Sequence, residues 1–480
     1  MNKMSKQLIF LGCLVLLMGS CNFKKQDPAN KPNFIIIFTD DQGYSDVGCF
    51  GSPNIKTPHL DKIASEGMKF TNFYAQTVCG PSRAALMTGC YPMRNARNDN
   101  GDVPHPKLSL SEITIAEVLK PVGYKTGMIG KWDLAGHNPE QFNPNLLPMH
   151  QGFDMSFFTP TSNDSRVHLL RNNQLVEKNA DMSTLTKRYT DEAINFIEKS
   201  SEQPFFLYLA HTMPHTKLAV SDAFKGKSEG GFYGDVIEEI DFNVGRILAK
   251  LKETGLDDNT YVIFTSDNGP WWIKKDHGGH AQPLRGAKTS AWEGGLRVPF
   301  IIRAPGKVPA GKTSDLVTAT IDMLPTLAQI AGAAIPKDRV IDGLDISDII
   351  HGERTDLDRP FFYYQHHILR AVRKGKWKLH LPHQPDSTSI VYRKWPIHSA
   401  PEDRVLFSKY MLYDLKNDIG ETTDVSTDNP EVVTELAKLL DWAKKDIGHL
   451  ETRGVNAGPL GTEPYFTPND IIPLKEKSKQ

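Results

Sequence analysis

Three short stretches depart from the mixed polarity of the chain into unbroken apolar runs: NFIIIFT from Asn33, PFFLYLA from Pro204 and TYVIFTS from Thr260. Runs of this length, rich in β-branched and aromatic residues, predict strands buried on both faces in the middle of a parallel sheet. Between them polarity repeats at helical spacing. TPHLDKIASEG supplies Thr57 as N-cap, Pro58 at the first helical position and Gly67 as a stop, and YGDVIEEIDFNVGRILAKLKETG ends at Gly255. Strands alternating with helices predict an α/β sandwich built on a large, mostly parallel sheet over residues 33–350.

After about Ile350 the texture changes. FFYYQHH and ILRAVRKGKWKLHL read as paired antiparallel strands with a turn at Lys374 and Gly375, and NPEVVTELAKLLDWAKKDI reads as an amphipathic helix capped by Asn429 with Pro430 in its first turn. A small sheet and helix over 351–452 should close the main domain, and residues 453–480 form a Gly/Pro-rich and then lysine-rich tail.

The first residues are of another kind. MNKMSKQLIFLGCLVLLMGSC has a basic start, an apolar run from Leu8 to Gly19 and small residues before Cys21, the pattern of an export signal. Gly19 and Ser20 ahead of Cys21 resemble a bacterial lipoprotein cleavage site, so residues 1–20 are expected to be removed. Cys21 would then carry the lipid, residues 21–32 would be a polar tether, and the protein would sit in the periplasm or on the outer membrane. Ordinary secretion and an uncleaved anchor are the alternatives. The 480-residue chain has a net charge of -1, which gives no footprint for nucleic acid. Past Cys21 only Cys49, Cys79 and Cys90 remain, an odd number that leaves at least one thiol without an intramolecular partner.

Ligands of parallel sheets bind beyond the carboxyl ends of the strands. The first predicted strand ends in Asp40 and Asp41, the second leads into His211 and His215, and the third ends in Asp267 and Asn268. One acidic pair is ordinarily a turn, but two oxygen-rich pairs at matching strand ends suit Ca²⁺ or Mg²⁺ better than Zn²⁺. In TVCGPSRAALMTG, Cys79 precedes a helix start with Pro81 in its first turn and Gly89 as stop. That position favours an anion, either a thiolate or a bound oxyanion, and a buried structural cysteine or a partner for Cys90 is the plainer reading.

CGPSRAALMTG resembles the signature of the sulfatase family, in which a Cys, a Pro two residues on and an Arg four residues on direct oxidation of the Cys to formylglycine. TDDQGYSDVGCFG, GYKTGMIGKWDLAGH, SDNG and RGAKTSAWEGGLRVP resemble further blocks of the family, in order, from Asn33 to Gly343. The likeness is to the arylsulfatase A and N-acetylgalactosamine-6-sulfatase type. It implies an alkaline-phosphatase-like fold, one Ca²⁺ ion and hydrolysis of a sulfate ester, with a sulfated glycan as substrate and a maturation enzyme as partner. Cys79 would be the formylglycine precursor and would join Asp40, Asp41, Asp267 and Asn268 around the ion. Arg83 would hold the hydrated aldehyde, and Lys131, His215 and Lys288 would hold sulfate and protonate the leaving oxygen.

At one position the chain departs from the family. GKWDLAGH carries Asp133 where the family usually has a His, so either Asp133 acts as the base that expels sulfate, or His137 fills the space, or activity is impaired. Trp271, Trp272, His277 and His280 are candidates for a sugar-contacting rim, with His366, His367 and Arg370 entering from the small domain and His211 packing behind His215. A phosphodiesterase or phosphonate hydrolase of the same superfamily and a catalytically silent glycan-binding lipoprotein are the competing readings.

Overall fold

The computed structural model describes residues 31–96, 108–136, 142–382, 407–450 and 452–459. The expected signal with Cys21, His137 and residues 460–480 lie outside them. One sheet of eleven strands dominates the described residues: β1 (Asn33–Thr39), β2 (Met68–Tyr74), β3 (Lys125–Lys131), β4 (Met155–Thr159), β5 (Leu169–Arg171), β6 (Gln174–Glu177), β7 (Phe205–Ala210), β8 (Thr260–Ser266), β9 (Arg297–Arg303), β10 (Lys312–Ser314) and β11 (Thr318–Ala319). The order is β10-β2-β9-β8-β1-β7-β3-β4-β5-β6, with β11 also on β2. From β8 to β4 the strands are parallel, whereas β9 runs antiparallel to both of its neighbours.

The period-two alternation of β1 shows why its sequence is apolar throughout. Phe34, Ile36 and Phe38 enter one core, Ile35 and Ile37 the other, and every residue of the strand is buried. Helices cover each face, among them Gly231–Glu253, which ends where Gly255 turns left-handed.

Helix α1 (Pro58–Ser65) begins at Thr57 as expected, but Thr57 Oγ1 accepts from the backbone N–H of Gly48 and donates to Asp61. The helix N–H groups of His59 and Leu60 are capped instead by Asp241, from the helix Gly231–Glu253. Gly67 is no left-handed stop. It is needed because a Cβ there would lie 2.1 Å from the carbonyl oxygen of Ile302 on β9.

Beyond residue 350, β12 (Pro360–Gln365), β13 (Ile368–Lys374), β14 (Trp377–His380) and β15 (Met411–Asp414) form the antiparallel sheet, with the β13–β14 turn at Gly375 and the helix Pro430–Asp446 against it. Asn429 stands at that helix's N-cap, but its amide donates to the carbonyl of Val425. Phe361, Tyr363 and Leu379 from this subdomain share a buried cluster with Tyr74, Leu296 and Ile321 of the main domain.

Three imidazoles, two buried and one half-buried, make the fold acid-sensitive. Burial holds His211, His380 and His449 down to about 4. The unfolded chain takes up these protons near pH 6.5, so their contribution to stability is full above about 6.5 and is lost progressively as pH falls toward 4, outweighing the opposite effect of Asp241, which burial pushes up to about 7. Melting temperature should therefore drop between pH 6.5 and 4, and a flat profile over that interval would refute the assignment.

Candidate active site at the carboxyl ends of the parallel strands

Register delivers the polar residues to one place. Phe38 of β1 pairs with Ala210 of β7 and Thr265 of β8, and Gly130 of β3 pairs with the same Ala210. Asp40, Asp267, His211 and Lys131 therefore leave four adjacent strands at one level. Gly130 makes the fit possible: at φ +103°, a Cβ would lie 1.7 Å from the Ala210 carbonyl oxygen. From the side comes α2 (Cys79–Thr88), which starts at Cys79 itself, two residues earlier than Pro81 suggested, and stops at left-handed Gly89.

The centre is dry and crowded. Asp40, Asp41, Asp267 and Asn268 are all at most 2% exposed, and Asp40, Cys79 and Asp267 bring ligand atoms within 4.8 Å of one another, as do Asp40, Asp41 and His215. Lys131 Nζ lies 2.8 Å from Asp40 Oδ2, Arg83 reaches Asp267 Oδ2 at 2.7 Å, and Lys288 Nζ contacts both oxygens of Asp41 at 2.6 and 2.8 Å. Arg83 also donates to the Lys131 carbonyl and lies over the Phe38 ring, so its hydrogen bonds brace the carboxylate cluster. Asp133, in the left-handed region at φ +56°, is buried with Oδ2 3.5 Å from Lys131 Nζ.

Charge in this centre is out of balance. Burial opposes ionisation of Asp40, but Lys131, His215 and Arg83 together hold it well below the usual carboxylate range. Burial and then the charge of Asp40 push Asp267 up to about 8, despite Arg83. Four carboxylates, with Asp133 counted, face three fixed cations, too few to keep Asp267 ionised at neutral pH. Asp40 Oδ1 and Asn268 Oδ1 are buried and make no hydrogen bond, Arg83 being 3.8 Å from the former. Orphaned hard oxygens beside a carboxyl left short of positive charge fit a divalent cation of the Ca²⁺ or Mg²⁺ kind.

Cys79 does not match the thiolate expectation. Burial pushes its thiol far up, and Lys131 and Lys288 only partly offset this, so the helix start does not ionise it. Cys49, Cys79 and Cys90 are all free thiols, which removes the Cys79–Cys90 pairing. His215 is oriented by residues that sequence reasoning missed. Asn163 gives both amide hydrogens to the carbonyls of His215 and Lys217, so its Oδ1 must accept from His215 Nδ1, 2.9 Å away. In the neutral ring the lone pair then sits on Nε2, 3.7 Å from Asp41 Oδ2. The available signal was the polar run PTSND directly after β4.

The rim candidates divide. Trp271 lies 5.1 Å from the His215 ring, with Lys288 Nζ 4.5 Å from its own ring centre. Trp272 is exposed and, with Lys275, Asp276 and His280, lines an adjoining groove of about 330 Å³. His280 contacts Asp46, and His277 packs on Phe232. His366 meets Thr77 Oγ1 through its backbone, His367 accepts from the N–H of Leu450, and Arg370 donates to Gln365. Buried His211, 6.4 Å from Tyr189, lies behind the pocket.

The Sulfatase family matches residues 32–333, and the family described as the C-terminal region of aryl-sulfatase matches residues 356–458. The chain belongs to the sulfatase family. This sulfatase is 34% identical to arylsulfatase A of Homo sapiens over 474 residues, 91% of this chain and 92% of that protein. It is 37% identical to N-acetylgalactosamine-6-sulfatase of Canis lupus familiaris over 402 residues, 76% and 75% of the two chains. A solved structure from Bacteroides thetaiotaomicron, described under metabolism of multiple glycosaminoglycans, superposes with a TM-score of 0.76 at 29% identity, covering 86% of this chain and 99% of that one. The phosphonate monoester hydrolase of Agrobacterium radiobacter shares the fold, with a TM-score of 0.61 at 20% identity over 86% and 95% of the chains. Membership makes the protein a sulfuric ester hydrolase on the alkaline-phosphatase-like fold.

Arg83 provides a test of this packing. Arg83→Met keeps the bulk and removes the donor to Asp267 Oδ2 and to the Lys131 carbonyl, and should destabilise the chain by about 1–3 kcal/mol in denaturant unfolding, since buried acceptors are left without a partner. An unchanged midpoint would mean that these acceptors find other donors in the folded chain.

Proposed function

We propose that this sulfatase hydrolyses a sulfate ester carried on a carbohydrate, with formylglycine made from Cys79 as nucleophile and one calcium ion held by Asp40, Asp41, Asp267 and Asn268. The observation that carries the reading is the convergence of Cys79 with Asp40 and Asp267 beneath two buried lysines. The hydrated aldehyde would supply a hydroxyl nucleophile for sulfur, and the ion would polarise the sulfate oxygens.

The remaining work falls to the side chains. Lys131 and Lys288 are held by their carboxylate partners above the ordinary lysine range and keep their charge to bind sulfate oxygens. Lys288 carries a proton throughout the working range and is the donor to the leaving ester oxygen, whereas the tautomer imposed by Asn163 makes neutral His215 an acceptor at Nε2. The charge of Asp133 reaches Cys79 and raises its thiol further, which supports Asp133 as the group that takes a proton from the nucleophile side. With all four carboxylates ionised around it, one divalent ion would leave the pocket a single net positive charge, which suits a sulfate monoester better than a doubly charged phosphate monoester. A galactose or N-acetylgalactosamine sulfate is the proposed class, and the second of these sugars is the one in the name of the N-acetylgalactosamine-6-sulfatase relative.

Produced together with a maturation enzyme, the protein should hydrolyse aryl sulfates faster than aryl phosphates. It should lose activity at least ~10³-fold in Cys79→Ala and with chelator, recover with Ca²⁺ in the latter case, and select among defined sulfated mono- and disaccharides. Preference for phosphate esters would sink the reading. We also propose that the chain is exported and lipid-anchored at Cys21, on the pattern of its first residues. Cys21→Ser should move it from the membrane fraction to the soluble one, and a chain that stays in the membrane fraction would refute the anchor.

A further inference from the structure

Lys288 is aimed by its neighbour. Thr289 sits in the left-handed region at φ +70°, a costly conformation for a β-branched residue, and persists only where its surroundings impose it. Two hydrogen bonds do so. The N–H of Thr289 donates to the carbonyl of Thr77 at 2.8 Å, and its carbonyl accepts from Gln365 Nε2 at 2.9 Å. Gln365 ends β12, is 4% exposed, and is itself fixed by Arg370 Nε on its Oε1 at 2.8 Å. Its neighbour Tyr364 accepts from Thr77 Oγ1, so one strand end of the C-terminal subdomain binds the segment before Cys79 and the segment after Lys288.

The far end of the same segment is held by the same subdomain. Lys378 Nζ, fully buried, donates to the carbonyl of Ala291 at 2.9 Å and lies 3.1 Å from Glu293 and 2.8 Å from Glu421. Glu421 accepts from the N–H of Glu293, and its carbonyl accepts from Arg285. Residues 285–293 are thus gripped at both ends and at the strained middle.

From this geometry we infer that Gln365 is a positioning residue for the reaction: it holds Thr289 left-handed and so keeps the Lys288 ammonium at the pocket. The inference rests on the reading of Lys288 as the group that faces sulfate. Gln365→Met keeps the bulk and removes the amide. It should leave the melting temperature nearly unchanged, raise backbone hydrogen exchange within 285–293 and not elsewhere, and lower kcat about tenfold with little change in KM. Adding Thr289→Gly, which adopts positive φ without strain, should restore part of that kcat. In a Lys288→Ala background the Gln365→Met change should cost nothing more.

Unchanged exchange in 285–293, or a kcat loss that adds in full to that of Lys288→Ala, would overturn the inference. Failure of the wild-type protein to hydrolyse any sulfate ester would instead overturn the functional reading, and the exchange measurement would still decide whether Gln365 holds the segment.

Discussion

Carboxylates gathered in a dry space repel one another and lose their hydration, so they stay ionised only where positive charge is brought to the same spot. In this sulfatase that constraint organises most of the molecule. The parallel strands place Asp40, Asp41, Asp267 and Asp133 at one end of the sheet, and three separate elements supply the compensation: α2 through Arg83, β3 through Lys131 and the segment before β9 through Lys288. Each cation comes from a different part of the chain. The site is complete only when all of them have docked, and the Asp40 and Asn268 oxygens that still lack a partner are hard donors that fit a divalent cation.

The C-terminal subdomain belongs to this arrangement. Its buried network of Glu293, Lys378, Glu421, Arg373 and His380 joins two halves that a purely apolar seam could also have joined. Ionic contacts of this kind add little net stability over well-packed apolar groups, but they fix direction, because a misaligned pair leaves a bare charge in the interior. The apolar contacts of Phe361 and Tyr363 with Tyr74 supply adhesion, and the charged network supplies alignment.

Much of this was legible in the sequence where local pattern and chemistry coincide. Asp40, Asp41, Asp267 and Asn268 stood out because β1 and β8 are unbroken apolar runs, so their ends could be read. Cys79 and Arg83 are tied by one helical turn. β3 and β4 did not stand out, because KTGMIGK carries two glycines and MSFFT is short, and with β4 went the loop that holds Ser162 and Asn163 beside His215. Asp241 capping α1, 181 and 182 residues from the two groups it caps, and Gln365 holding Thr289 have no local signature, since each acts through a contact that only the folded chain creates. His277 and His280 show the reverse, as eye-catching types whose contacts with Phe232 and Asp46 lie off the cluster.

The burial of Cys79 also sets an order of events. In the folded chain the residue is 6% exposed, built into the first turn of α2, with Thr77 just ahead of it bonded to the C-terminal subdomain. On the proposed function, an enzyme that oxidises this side chain would have to reach it before α2 docks, because a chain that closes first buries a protonated thiol. The fraction of competent molecules would then be set by a race between oxidation and folding, and rapid closure around residues 77–89 would be a disadvantage.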